Sequence, residues 1–227
     1  AWHFVVNGAD DQRTLEANRL AFDGWQLRVR RLVDVSRVDT SVELLGTRLP
    51  TPILLAPAGA QATVHADGEV ATMRGASARG HLMISSTISS NSIGEIRGAG
   101  TAPLWFQLYP SPDQDLMRHL LAGAAAAGCR AVALTVDSPT RGNRLGERWF
   151  SRISTRKGPA RMGNFEGYGG PPRVGDPALT WDIVDWLRAN TALPVLLKGI
   201  VTREDAEIAV RRRVDGLIVS NHGGRQE

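Results

Sequence analysis

Leu193-Pro194-Val195-Leu196-Leu197-Lys198-Gly199 and Gly216-Leu217-Ile218-Val219-Ser220-Asn221-His222-Gly223-Gly224-Arg225-Gln226 are two short apolar runs, each leading into reactive side chains. Between them Thr202-Arg203-Glu204-Asp205-Ala206-Glu207-Ile208-Ala209-Val210 carries a Thr cap, early acids and apolar residues at helical spacing, which predicts strand–helix–strand. A parallel pair joined by a helix puts both strand ends on one face. Lys198, His222 and Arg225 then gather at the carboxyl edge of a parallel sheet, where such folds build their sites.

Arginine is the default cation of this chain. Of 27 Lys+Arg only Lys157 and Lys198 are lysines, so a lysine ending a buried strand points to chemistry a guanidinium could not perform. His222 is the natural general base, and Arg225 offers a fork for a carboxylate. The plainer alternative has Lys198 snorkelling, His222 capping a loop and Arg225 solvated; three such residues meeting at one edge favours a site.

The 227 residues, 42% hydrophobic, suffice for one domain with a real core, and no run is long enough to span a bilayer. The single cysteine, Cys129, excludes an internal disulfide and reads as a small core residue in a cytoplasmic protein. A net charge of +4 arises from scattered arginines, without an aromatic or glycine-bearing recognition motif. No nucleic-acid partner and no metal site are expected; anionic small ligands fit the balance.

The stretch Ser220-Asn221-His222-Gly223-Gly224-Arg225-Gln226 closely resembles the active-site signature of the FMN-dependent α-hydroxy-acid oxidases and dehydrogenases, the family of glycolate oxidase and lactate oxidase. The resemblance runs through most of the chain. It implies an α/β fold, the (β/α)8 TIM barrel, and oxidation of a 2-hydroxy acid to a 2-oxo acid with FMN. The resemblance further implies His222 as base, Asp137 as the carboxylate that pairs with it, and Lys198 at the flavin N1–C2 carbonyl region. Arg225 and Arg144 are then carboxylate ligands.

Other segments carry both a residue-level reading and one implied by the family. Pro52-Ile53-Leu54-Leu55-Ala56-Pro57-Ala58-Gly59-Ala60-Gln61 is a short buried strand whose small terminal residues let a flat ligand touch backbone. The family resemblance puts Ala58, Gly59 and Ala60 against the flavin ring and suggests extra room at Gly59. The polar string Ser85–Ser90 suits hydrogen bonds to a ring carbonyl or phosphate; by resemblance Ser86 contacts flavin and Ile88 shapes the substrate pocket. Gln107 and Tyr109 share one face of the Leu104–Tyr109 strand, so both can point into one site, although Tyr109 alone reads as a half-buried strand aromatic. The family implies that Gln107 binds flavin and Tyr109 the substrate, with Thr135 and Ser220 as further cofactor contacts. Phe4 stands where the family delivers a tyrosine hydroxyl to the substrate carboxylate, a bond worth about 1.5–3 kcal/mol.

Residues 25–49 read as an opening strand or hairpin. From Leu145 to Ala178 runs a loop rich in Gly, Pro and Arg without a clear period, which reads as a lid or mobile segment and as a candidate peripheral membrane contact. About six strands are expected, near residues 53, 83, 105, 132, 195 and 217, and the Asp-Gly-Gly and Gly-x-Arg segments that hold the FMN phosphate in the family are not in the sequence. The expectation is a barrel domain truncated after strand 6 and lacking its N-terminal start. Such a chain, if whole, would bind FMN weakly and be poorly stable. A homo-oligomer is expected, with O2, a quinone or a cytochrome as electron acceptor. Two alternatives stand beside this reading: a catalytically inactive fragment or binding protein of the same fold, and another phosphate-binding or FMN-dependent barrel enzyme.

Overall fold

The computed structural model describes residues 5–146, 148–149 and 161–226. In chain order these form helix α1 (Arg13–Leu20), strands β1 (Val42–Leu44) and β2 (Thr47–Leu49), helix α2 (Gly68–Arg79), strand β3 (Met83–Ser86), helix α3 (Ile93–Gly98) and strand β4 (Leu104–Leu108). Helix α4 (Gln114–Ala126), strand β5 (Val132–Thr135), helix α5 (Asp182–Asn190), strand β6 (Val195–Lys198), helix α6 (Arg203–Arg211) and strand β7 (Gly216–Ile218) follow. Strands β3 to β7 pair in parallel in strict sequence order, each crossover carrying a helix. A doubly wound sheet would reverse its strand order at a switch point; uninterrupted progression is the arrangement of a (β/α)8 barrel.

Helix boundaries follow from side chains that satisfy orphan amides. Asp113 accepts from the Leu116 N–H ahead of α4, and Thr202 accepts from the Asp205 N–H ahead of α6. Ser92 and Glu95 form a reciprocal capping box at α3.

The period-2 alternation of the strands divides the core in two. Met83, Leu104, Phe106, Leu108, Val132, Leu134, Val195 and Leu197 pack outward against helix residues such as Met73, Ile96, Leu120, Val184 and Leu187. Ile84, Trp105, Ala133 and Leu196 face the interior, where Leu49 and Leu82 join them and Val42 and Leu44 of the hairpin pack against the group. The hairpin turns through Leu45 and Gly46, both at positive φ as a two-residue connection of matching twist demands. Of residues 25–49, then, only the 42–49 portion is the expected hairpin; Trp25 to Val38 is exposed and without regular structure.

Two expectations are corrected here. The stretch around Leu55, expected as the first of six strands, is reduced to one parallel bridge to Met83, with the Leu55 N–H bonded to the Leu82 carbonyl and the Ile84 N–H to that of Leu55. Pro52 and Pro57 bracket the stretch and deny it further ladder donors. The second correction concerns residues 161–178 of the loop expected as a lid or mobile segment. Its residues 147 and 150–160 lie outside the described residues, but Gly163–Phe165 form a 3-10 turn with all three residues buried, and Phe165 joins the outer core. The Tyr168 hydroxyl donates to Asp113 at 2.6 Å, and the Gly175 N–H bonds the Pro110 carbonyl at 2.8 Å. No helix among the described residues is long and apolar enough to cross a membrane.

Leu134, wholly buried among outward-facing strand residues, gauges the outer core. Leu134→Ala is expected to lower unfolding free energy by about 2–5 kcal/mol, with an unchanged m-value in urea titration.

Candidate active site

Along the interior face the strands change from apolar to polar toward their carboxyl ends. Ile84 gives way to Ser86, Trp105 to Gln107, Ala133 to Thr135 and Leu196 to Lys198, because every second residue faces inward. The first three of these polar ends form one network. Ser86 Oγ donates to Gln107 Oε1 at 3.0 Å, and Gln107 Nε2 donates to Thr135 Oγ1 at 2.8 Å. Thr87 Oγ1 donates to the Gln107 carbonyl and accepts from the Tyr109 N–H.

Next to it lies the ionisable cluster. His222 Nδ1 meets Asp137 Oδ1 at 2.8 Å, and Lys198 Nζ stands 3.7 Å from Asp137 Oδ2 and 3.5 Å from His222 Nδ1. Tyr109 Oη lies 3.3 Å from His222 Nε2. Ser138 Oγ donates to Asp137 Oδ1 and sits 3.4 Å from His222 Nδ1. Gly199, at φ +112°, permits this closeness: a Cβ there would stand 2.6 Å from that of Asp137.

Charge and burial set the protonation of these groups. Burial raises the Asp137 carboxyl, but the His222 hydrogen bond together with the Lys198 and His222 charges outweighs it, leaving the pKa below the usual carboxylate value. Burial also lowers the Lys198 ammonium, against the pull of Asp137. The Tyr109 phenol is pushed up to about 12, first by burial and then by Asp137, with the Arg144 and Arg225 guanidiniums opposing.

The His222 loop is held from far away in the chain. His222 itself is at φ 58°, and its N–H bonds Ser220 Oγ at 3.0 Å. Asn221 and Asn18 of α1 exchange side-chain amide bonds at 2.7 and 3.1 Å, and the Gly224 carbonyl accepts from the Ala9 N–H. Arg225 Nη1 donates to the Asn7 carbonyl at 2.9 Å, and the Gly142 N–H donates to Gln226 Oε1 at 2.8 Å, bringing the Arg144 segment beside the loop. Phe4 lies outside the described residues.

On the opposite wall, Ala60 adopts φ 54° and its N–H bonds the Ile88 carbonyl. Gly59 does not open extra room, as the resemblance suggested. A Cβ on it would stand 2.5 Å from Ile88 Cγ1, so Ile88 already fills that space.

Three contributors escape a reading by sequence. Ser138 is masked by its neighbour Asp137, and Asn18 acts across 203 residues. Asn164, in the supposed lid, donates through Nδ2 to the Ser86 and Thr87 carbonyls and accepts at Oδ1 from the Ile93 N–H at 2.7 Å. A side-chain amide with both ends engaged by backbone braces the serine-rich loop as a strand neighbour would, and nothing local marks it.

The whole chain, residues 1–227, matches the FMN-dependent dehydrogenase family. The chain belongs to that family. It is 39% identical to 2-hydroxyacid oxidase 2 of Bos taurus over 232 residues, covering 99% of this chain and 65% of the bovine protein. Identity to the L-lactate oxidase of a Nostoc species is 37%, over 100% of this chain and 67% of that protein. The fold superposes with a TM-score of 0.89 on a solved mandelate oxidase variant carrying an FMN adduct, at 35% identity, covering 100% of this chain and 65% of that one. The chain thus spans somewhat less than two thirds of the bovine relative's length.

The donor set fits the cofactor of this FMN-dependent family. A flavin's pyrimidine edge alternates carbonyl acceptors with a ring N–H. Ser86, Gln107 and Thr135 offer hydroxyls and an amide that can donate and accept there, and Lys198 adds a cation.

Both tyrosines of the chain, Tyr109 and Tyr168, are pushed up to about 12. Spectrophotometric titration of the folded protein should therefore show no tyrosinate step near pH 10, where a free tyrosine is half ionised (about 10). In urea the step should return to that value. A step near pH 10 that persists in folded Tyr168→Phe, where Tyr109 is the one tyrosine left, would contradict the burial and the Asp137 charge that raise Tyr109.

Proposed function

We propose that this chain supplies the substrate-oxidising centre for FMN-dependent conversion of a small 2-hydroxy acid to a 2-oxo acid. One observation carries the reading. His222 presents Nδ1 to Asp137 at 2.8 Å, which leaves Nε2, 3.3 Å from the Tyr109 hydroxyl, as the ring nitrogen that meets a bound substrate. An imidazole held in one tautomer by a buried carboxylate is arranged to accept a proton and to be stabilised once charged.

The roles follow from charge. The Arg225 and Arg144 guanidiniums, near the Tyr109 phenol, bind the substrate carboxylate, where a bidentate fork adds orientation to attraction. Tyr109, protonated well above neutrality, donates to the substrate oxygen as its carbon–oxygen bond gains double-bond character. A proton of the carbinol group passes to His222 Nε2, and Asp137 stabilises the resulting imidazolium. FMN, when bound, supplies the two-electron acceptor for the hydrogen leaving the substrate carbon. Ser86, Gln107 and Thr135 would hold its polar edge, the Ala58–Ala60 backbone would face its ring, and Lys198 would offset negative charge near N1 and the C2 carbonyl. Ser220 serves indirectly, through its bond to the His222 N–H.

The names of the relatives, a 2-hydroxyacid oxidase, an L-lactate oxidase and a mandelate oxidase, support 2-hydroxy acids as substrates and dioxygen as the final acceptor. An inactive member of the same fold is the rival reading, and flavin uptake separates the two.

The test is anaerobic addition of a panel of 2-hydroxy acids to the protein supplied with FMN. Bleaching of the visible flavin band is expected, and its rate ranks the substrates. His222→Gln should slow bleaching about 10²–10⁴-fold, the usual contribution of a positioned acid–base group, while FMN uptake persists. A variant that bleaches at the parental rate would remove His222 from the mechanism; a parent that takes up no FMN would favour the rival.

A further inference from the structure

Glu69 is a fully buried acid on the first turn of α2, and none of the assigned roles uses it. Its carboxylate contacts backbone rather than a cation among the described residues. Oε1 accepts from the Gln61 N–H at 3.0 Å and the Ser90 N–H at 3.1 Å, and Oε2 accepts from the Asn91 N–H at 3.3 Å. Removing an ionised carboxyl from water is costly, and several amide donors aimed at it are what offset that cost. A helix needing only an anchor could pack an apolar residue there. A carboxylate, with two acceptor oxygens and no donor, can take all three of these amides at once.

Those donors belong to the two walls of the site. Gln61 follows Ala58–Ala60, and Ser90 and Asn91 follow Ser86 and Ile88. Further bonds converge on the same junction. Thr72 Oγ1 donates to Gln61 Oε1 at 2.6 Å, Gln61 Nε2 donates to the Ala58 carbonyl, and the Ala62 N–H bonds Ser90 Oγ. The Glu69 N–H in turn bonds Asn91 Oδ1 at 3.1 Å. Within the first wall Ala60 is held at φ 54°, a conformation that persists in a non-glycine residue only when its surroundings impose it.

We propose that Glu69 is a positioning residue of the cofactor site. Its carboxylate gathers the Gln61, Ser90 and Asn91 amides and so fixes the Ala58–Ala60 backbone against the Ser86–Ile88 loop, setting the wall on which the flavin ring lies. The inference rests on the reading above that this backbone faces FMN.

The test separates the clamp from the cofactor. Residue-resolved amide hydrogen exchange is measured on the flavin-free chain. In Glu69→Gln the amide oxygen can keep the Gln61 and Ser90 donors, while its NH2 group turns against the Asn91 N–H. Asn91 should then exchange about tenfold faster or more, with the other two near parental rates. In Glu69→Ala all three amides should accelerate, with Leu104–Leu108 unchanged. FMN affinity is then expected to weaken about tenfold in Glu69→Gln, with an altered visible spectrum of the bound flavin. Unchanged exchange at all three amides in Glu69→Gln and Glu69→Ala overturns the clamp. Faster exchange with parental FMN affinity and spectrum overturns the cofactor role, since a purely structural acid would behave so. If Glu69→Ala fails to fold, Glu69→Gln decides alone. A parent that takes up no FMN refutes the underlying functional reading, and the cofactor role with it, while exchange still judges the clamp.

Discussion

The 2.8 Å contact between His222 Nδ1 and Asp137 Oδ1 joins the loops following β7 and β5 across the end of β6, where Lys198 waits beside both. The buried Asp137 carboxylate is compensated by Lys198 and His222, and the buried Lys198 ammonium by Asp137. Each offsets the desolvation of the other, so the cluster holds only if three consecutive parallel strands end at one level. Gly199 makes that level reachable by letting the β6 exit pass against Asp137. The outer core, the crossover helices and the strand register all serve this requirement.

A second constraint concerns irregular backbone near the site. Loops after parallel strands bring polar amides and carbonyls into a largely buried region, and each needs a partner. Here side chains from outside the loops supply them. Asn164 satisfies the carbonyls of Ser86 and Thr87, Ser92 and Glu95 cap the following helix, and Asn18 locks Asn221. The segment after β5 is thus part of the site's architecture over the residues described. Bracing of this kind gives a site precision, because a hydrogen-bonded loop resists small displacements that a merely packed one tolerates.

The hairpin β1–β2 shows how the same strands can have two chemistries on one face. It closes the interior at the amino ends with Leu49, Val42 and Leu44, where Ile84, Trp105 and Leu196 need apolar partners. Two residues further along, the interior is polar and opens toward the loops. β7, the last of the five paired strands, is half-exposed along its length, whereas β4, β5 and β6 are wholly buried. It is an edge of the described sheet, and its residues lack the second neighbour that buries the others.

Sequence by itself determined the parallel β/α units and the set of polar strand ends, because those depend on local periodicity and capping. Lys198 in a chain of arginines and His222 after an apolar run could be singled out from the residues alone, whereas Asp137 was reached through the family resemblance. The stretch around Leu55 misled, since its apolar composition satisfies a strand while Pro52 and Pro57 forbid the ladder. Only the tertiary structure decided that Ile88 fills the space beside Gly59, that Asn164 and Asn18 are braces, and that Glu69 faces three amides from two loops. Those facts depend on which distant segments share a volume. A single side chain carries no record of its partners until the packing of β3 to β7 brings them within a hydrogen bond of one another.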